Sequence, residues 1–364
     1  MRAKTKRFLR FLLVLCVVIL VAAGVYVAYI FLSYSRIEDN QNLEVTTTGS
    51  YSYFQDNEAM NSGRVYSILT YNIGFGAYTD DYSFFMDGGK SSWASSEEGL
   101  MSNICEIANV INLSDADFVF LQEVDLDGTR TYHVNEMELI NQFLKGYYIS
   151  NAVCFDSKFL MYPLTQPHGA NTSAQVTYSS FPISSSVRRS LPIADDFAKV
   201  FDYDRCYIKT TVPTAKEKDL ILYNVHLSAY TDDLELKKAQ IDMLLSDMEE
   251  EYKKGNYVVC GGDFNQNLRD EEDNGTVPSW AGRFPRELLP EGFSMGIDHA
   301  KPEHVTRNTC RDANEPYNPD TTFTVTADGF IVSNNVRVHF YNNTDWGYRF
   351  SDHDPVLMQF FLKD

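Results

Sequence analysis

Phe11 to Leu32 is an uncharged run of 22 residues, rich in Val, Leu, Ile and Ala. At 1.5 Å per residue, a helix of that length covers roughly 30 Å, the hydrocarbon thickness of a bilayer. A cleaved signal has an apolar stretch of only about 7–15 residues and a small-residue cleavage site, so the expectation is an uncleaved anchor. Arg2, Lys4, Lys6, Arg7 and Arg10 precede the run, and no acid falls within residues 1–32. That bias favours a cytoplasmic N-terminus. The expected layout is a basic tail over 1–10, a single membrane span over 11–32, and everything beyond it on the extracytoplasmic side of the cell membrane. Leu15 before Cys16, where lipid-modified cysteines need a small residue, argues against a processed and acylated cysteine.

Charge is distributed unevenly. The chain carries 31 basic and 50 acidic residues, and setting aside the five cations of the first segment leaves 26 basic residues and a net charge of −24 beyond Leu32. With 364 residues, 44% hydrophobic, there is ample material for a large core. Cys105, Cys154, Cys206, Cys260 and Cys310 are odd in number and scattered, without a C-x-x-C pair, which suits neither a zinc site nor a disulfide framework. Cys260, inside "YVVCGGDF", reads as a small hydrophobe.

Residues 33–62 are polar and acidic without a sustained period, as in a tether, and a folded domain is expected over 63–364. Apolar, β-rich runs then recur: "VYSILTYNIGF", "DFVFLQEV", "YYISNAVCF", "VTYSSFPI", "CYIKTTVP", "DLILYNVHLS", "YVVCGGDF", "TFTVTADGFIVS", "VRVHFYN" and "DPVLMQFFL". Helical spacing appears twice. Ser95 and Glu98 resemble a capping pair ahead of Leu100, Ile104, Ile107, Ala108 and Ile111, and a second amphipathic stretch runs from 232 to 252. Strands that outnumber helices imply an α+β sandwich. The stretch Asn267–Asp320 is long, polar and rich in Pro and Gly, the mark of a functional or lid-like insertion.

Six segments place an acid, amide or imidazole at a strand end: Asn72 in "LTYNIG", Glu123 in "FLQEVD", His226 in "YNVHLS", Asp263 and Asn265 in "GGDFNQ", Asp328 in "ADGFIV", and the Asp352–His353 pair in "SDHDP". Singly, each is a plausible turn residue. Together they are costly to bury without a task. Glu, Asp and Asn oxygens suit a hard divalent ion such as Mg2+, and Asp, Asn and His beside such an ion are what phosphate-ester hydrolysis requires. The glycines of "CGGDFN" let backbone pass closely while Asp263 and Asn265 turn toward one cavity.

In this order the six motifs resemble the endonuclease/exonuclease/phosphatase superfamily, over about Val65 to Leu362. The resemblance implies a four-layer αββα sandwich and Mg2+ as cofactor, with Mn2+ as a substitute. It also implies roles: Asn72, Glu123 and Asp352 at the metal, Asp263 steadied by Asn265 on the attacking water, His226 and His353 on the scissile phosphate, and Asp328 orienting His353. Asp354 receives no role from it. Where relatives often carry Asn and Arg in a central segment, this chain has Gln175 and Ser180 in "AQVTYSSFPI". Gln175 is thereby a candidate substrate contact, as are Arg130 in "DGTRTYH" and Arg311 in "NTCRDANEPY".

The expected function is a membrane-anchored, outward-facing phosphoesterase whose substrate is a lipid headgroup, an inositol phosphate or nucleic acid, with no protein partner. An extracytoplasmic nuclease is the alternative, disfavoured by the acidic balance and the lack of a basic cluster with interleaved aromatics. A catalytically silent binding module would have little reason to keep the whole residue set.

Overall fold

The computed structural model describes residues 2–49, 59–229, 233–270 and 278–364. It opens with α1 (Arg2–Ser33), which contains the whole apolar run. Strands β1 (Gln41–Asn42), β2 (Thr46–Thr47) and β3 (Tyr66–Asn72) precede α2 (Glu97–Ser114). Next come β4 (Phe118–Gly128), α3 (Glu136–Phe143), β5 (Tyr148–Asp156), β6 (Asn171–Ser179), β7 (Ser185–Ser190), β8 (Cys206–Val212) and β9 (Leu220–His226). After α4 (Leu234–Lys253) follow β10 (Tyr257–Asp263), β11 (Phe293–Met295), β12 (Cys310–Arg311), β13 (Thr324–Val325), β14 (Asp328–Ser333), β15 (Val336–Asn343) and β16 (Val356–Leu362).

Two seven-stranded sheets result, ordered β15-β16-β3-β4-β6-β5-β2 and β1-β7-β8-β9-β10-β14-β11. Because side chains alternate along a strand, one set from each sheet meets the other sheet and the second set meets helices. Ile68, Phe118, Phe120, Leu220, Leu222, Val259, Phe330 and Phe360 fill the space between the sheets. Leu69, Tyr71, Val119 and Leu121 pack outward on α2 through Ile104 and Ile107, while Ile221, Tyr223, Val258 and Cys260 pack on α4 through Leu244 and Met248. The expected αββα layering is therefore present.

Each sheet contains one parallel pair, β3 with β4 and β9 with β10, flanked by an antiparallel partner, β16 and β14 respectively. The C-terminal ends of each parallel pair and the N-terminal end of its partner thus share one edge. Every second residue there faces inward. Asn72, His226, Asp263 and Asp328 continue the inward-facing series of their strands, and His226, Asp263 and Asp328 stand in one register row. Near this edge the core turns polar. Gln122 Nε2 donates to Asn224 Oδ1 at 2.7 Å across the sheets, and Asn224 Nδ2 donates to Val176 O at 3.0 Å.

Local details depart from expectation for identifiable reasons. The first amphipathic helix, α2, is capped by Ser96, not Ser95: its Oγ accepts the Gly99 amide at 3.0 Å. Helix α3, capped by Asn135, is amphipathic but only eight residues long, too short for its spacing to stand out, and β7, "SSVRRS", lacks the apolar alternation that marks the longer strands. The stretch 33–62 is stitched to the domain in its described parts. β1 pairs with β7, β2 pairs with β5, and Asp204 accepts the Ile37 amide at 2.7 Å. Two-residue edge strands need no apolar pattern, which is why these look like tether; residues 50–58 of the stretch lie outside the described residues.

Replacing Asn224 with Leu leaves Gln122 Nε2 with Thr70 Oγ1, at 3.2 Å, and strands its second N–H in the core. The expected loss is about 1–3 kcal/mol of stability, read as a lower denaturation midpoint of the full chain in detergent with unchanged far-ultraviolet dichroism.

Candidate active site

The polar edge opens into a cavity of about 380 Å³ lined by Glu123, His226, Asp263, Asn265, Asp352 and His353, among others. Two backbone irregularities aim its acids. At the end of its inward series β4 shifts register between Leu121 and Val124, and Glu123 takes φ 55°, leaving the ladder to enter the cavity. Gly262 adopts φ 149°, where a Cβ would lie 2.0 Å from Val225 O; only glycine lets β9 and β10 approach so closely just before Asp263.

Asp263 is the hub. Its Oδ1 accepts the Asn265 amide at 2.8 Å, and its Oδ2 accepts Asn72 Nδ2 at 3.0 Å and Asn265 Nδ2 at 3.2 Å. Nε2 of His226 lies 3.6 Å and Nε2 of His353 lies 3.8 Å from that same Oδ2. Burial, opposed by His353 and abetted by Asp328, pushes the Asp263 carboxyl up to about 7. The two imidazoles go opposite ways. Burial, with Arg205 and His353 nearby, drives His226 well below the usual range, so it is neutral. Burial also disfavours charge on His353, but Asp328 (with Cys310, Asp263 and Asp352) overrides it and raises His353 well above that range, with Nδ1 2.7 Å from Asp328 Oδ2. One neutral and one charged imidazole around a carboxylate is a division of acid–base labour.

Glu123 and Asp352 form the second centre. Burial raises both carboxyls, and the Asp352 charge raises Glu123 further. Among the described residues the ion-pair partner of either is His226, 3.8 Å from Glu123. Two oxygen acids turned toward one cavity without a lysine or arginine between them fit a hard divalent cation. Asn72 fits less simply: Nδ2 donates to Glu123 Oε1 at 3.1 Å, while Oδ1 accepts the Gly74 amide at 3.0 Å. As a ligand it would have to turn its amide and give up the Gly74 bond. Asp263, Asp328 and His353 also offer ligand atoms within 4.8 Å of one another. That trio already spends its closest contact on the Asp328–His353 hydrogen bond, so the Glu123–Asp352 pair fits a cation better.

The three substrate candidates part company. Arg130 lines the cavity yet is held, with Nε and Nη2 each 2.8 Å from Asp125 and its guanidinium 3.7 Å over the Phe75 ring. Arg311 also lines it and donates to the carbonyls of Thr79 and Asp312, at 2.9 Å and 3.1 Å. Gln175 does not line the cavity: its position in β6 turns it between the sheets, where Nε2 donates to Cys206 O at 3.0 Å. Ser180 lies just past β6, its amide on Asp117 O at 2.8 Å.

Sequence reading missed Tyr203 and Arg205 in the "DYDR" stretch before β8. Tyr203 donates to Glu123 Oε2 at 3.3 Å and stacks 5.4 Å from His226; Arg205 reaches the Leu227 carbonyl and Asp202. Acids alternating with Tyr and Arg immediately before a strand were the available signal. Ser351 was also undervalued. Its Oγ donates to Asn72 O at 2.8 Å and accepts the His353 amide, clamping "SDHDP" to the end of β3. Asp354 accepts the amides of Trp346 and Gly347, both at 3.1 Å, and pins the loop behind that motif.

The model of the Endonuclease/Exonuclease/phosphatase family matches residues 69–353. The chain belongs to that family. It is accordingly a hydrolase of phosphate esters. A comparison with curated proteins found no significant match. Among solved structures, the endonuclease/exonuclease/phosphatase from Beutenbergia cavernae is 17% identical with a TM-score of 0.56, over 82% of this chain and 72% of its own. Truncated Caenorhabditis elegans TDP2 is 17% identical with a TM-score of 0.52, over 82% and 98%. ANGEL2, a 2',3'-cyclic phosphatase, is 15% identical with a TM-score of 0.54, over 84% and 99%. At these identities the likeness is one of fold.

Two substitutions follow from the geometry. Asp328→Asn should keep the melting temperature near that of the parent and lower turnover on the order of 10³–10⁴-fold, as when a buried carboxylate no longer orients its histidine. Arg130→Met leaves Asp125 buried and uncompensated, and should cost about 3–5 kcal/mol in a denaturant titration.

Proposed function

We propose that the chain is a membrane-anchored, outward-facing phosphoesterase that uses a divalent cation, Mg2+ by preference, to hydrolyse a phosphodiester or phosphomonoester by attack of water. The observation that supports it best is the convergence on one cavity of the Glu123–Asp352 acid pair, Asp263 and two imidazoles within 3.8 Å of the Asp263 carboxylate. Glu123 and Asp352 would hold the cation, and when bound it supplies charge neutralisation at phosphate oxygens. Asp263, its two oxygens fixed by Asn72 and Asn265, orients and deprotonates the water. His353, charged and aligned by Asp328, and His226 donate hydrogen bonds to the phosphate as negative charge grows in the transition state. Tyr203 keeps Glu123 turned into the cavity.

The basic tail followed by 22 uncharged apolar residues within one helix supports the anchor and its orientation. A nuclease is the weaker reading, because Arg130 and Arg311 are committed to fixed protein partners and the chain beyond Leu32 is strongly acidic.

The full chain, purified in detergent, should hydrolyse bis-p-nitrophenyl phosphate or p-nitrophenyl phosphate with Mg2+, lose that activity in EDTA and regain it on adding Mg2+. EDTA-insensitive turnover would remove the cation from the mechanism. Asp263→Asn should fold normally and lose activity by orders of magnitude; a parental rate would exclude Asp263 as the water-activating group. Faster turnover of plasmid DNA than of either small ester would favour the nuclease.

A further inference from the structure

The end of α1 does not leave the domain free. Ile30 is 4% exposed and packs with Phe155, Leu160 and Val200. One turn earlier, Tyr26 Oη donates to Phe159 O at 3.1 Å and accepts the Met161 amide at 2.8 Å. The Phe31 ring stands 5.2 Å from Phe197. The segments around Phe159 and Phe197 are thus fixed against the last turns of the apolar helix.

Those same segments carry apolar side chains to the outside. Phe159 is 43% exposed, Met161 44%, Tyr162 66%, Leu164 80% and Phe197 55%. Nearby Lys158 and Lys199 are paired with Asp156 and Asp195, so the patch is apolar, not cationic. Five large apolar side chains exposed around the end of one apolar helix ask for a cover.

The apolar run has 22 residues, and a bilayer core takes about 20. Almost no slack remains, so with Phe11 at the inner boundary the outer one falls near Ile30, and Tyr26 lies about one turn inside it, a depth that apolar interfacial segments reach. Whatever is bonded to Tyr26 sits at that depth. We propose that the exposed face formed by residues 159–164 and Phe197 lies in the outer interface of the bilayer that holds α1, and that the ester taken by the cavity is a lipid phosphate presented from that bilayer.

The second half rests on the phosphoesterase reading and on how the face connects to the cavity. Phe155, which packs on Ile30, also lines the cavity, as does Phe201, 5.2 Å from Phe197. On the other flank the Tyr162 ring lies 5.7 Å from Phe85, which meets the cavity-lining Phe84 edge to face at 4.8 Å. One shell of aromatic side chains separates the exposed patch from the catalytic floor. A phosphate on an apolar body matches this wall better than a polyanion does, because the wall is aromatic and the cations near the floor are already paired.

The test uses the full chain in phosphatidylcholine nanodiscs. Leu164→Trp is compared with the parent, whose native tryptophans supply the background, using lipids brominated near the headgroup end of the acyl chains. Selective quenching of the introduced indole is expected. An unquenched indole in this variant, including the case in which a second copy covers the patch, overturns the interfacial placement. In parallel, nanodiscs containing a minor fraction of phosphatidic acid, phosphatidylglycerol or sphingomyelin are assayed beside soluble bis-p-nitrophenyl phosphate. Phe159→Asp/Leu164→Asp should lower hydrolysis of the lipid ester about ten-fold or more and leave the soluble ester unaffected. Equal loss on both, or turnover of the soluble ester with none of any lipid, overturns the substrate assignment. If the parent hydrolyses neither class, the phosphoesterase reading itself fails, while quenching in the Leu164→Trp variant still decides the placement.

Discussion

Half of the site hangs from each sheet, so everything depends on how the sheets are held face to face. The apolar layer between them is permissive about sliding. The Gln122–Asn224 bond at 2.7 Å is not, because it joins the middle of β4, next to Glu123, to the last turn of the pleat in β9, next to His226. A slip of either sheet would leave amides buried without partners, which costs more than mismatched methyl groups. Asn72 Nδ2 then spans the same gap one layer higher, touching Glu123 from its own sheet and Asp263 from the other. Register across the sandwich and geometry in the cavity are one constraint.

The electrostatics follow from this placement. Asp263 and Asp328 are each about 1% exposed, and among the described residues the partners of their row are imidazoles and amide donors. The guanidinium groups around the cavity are anchored to carboxylates or carbonyls, so they provide fixed positive potential and shape and do not rearrange around an incoming charge. That leaves Glu123 and Asp352 as the pair whose mutual repulsion no lysine or arginine among the described residues relieves by direct pairing. A cation there would lower the energy of the fold and prepare the site in the same event.

Much of this was legible in the chain. Strand alternation located β3, β4, β9, β10, β14 and β16, and the polar residues closing those strands are the ones the structure gathers. The shortfalls share a cause. Gln175 sits in a strand that reads like the others, and only the pairing of β6 with β4 and β5 shows that it faces the inter-sheet layer. Arg130 and Arg311 do reach the cavity, but a loop sequence does not announce that Asp125 or the Thr79 carbonyl will hold them. Tyr203 enters through a contact 80 residues away from Glu123, a relation with no local pattern. Short polar strands such as β1 and β7 carry no apolar periodicity, because β1 is exposed and what β7 buries, Ser186 and Arg188, is polar.

Strand β16 lies between β15 and β3, and Ser351 closes on Asn72 across a separation of 279 residues. Pairings that distant form late, since the intervening chain must be closed before they are rewarded. In a polypeptide made from its N-terminus onward, Glu123, His226 and Asp263 emerge long before the residues that complete their setting. The cavity is therefore incomplete in a growing chain, and it closes only once the segment bearing Asp352 and His353 has joined the end of β3 through Ser351.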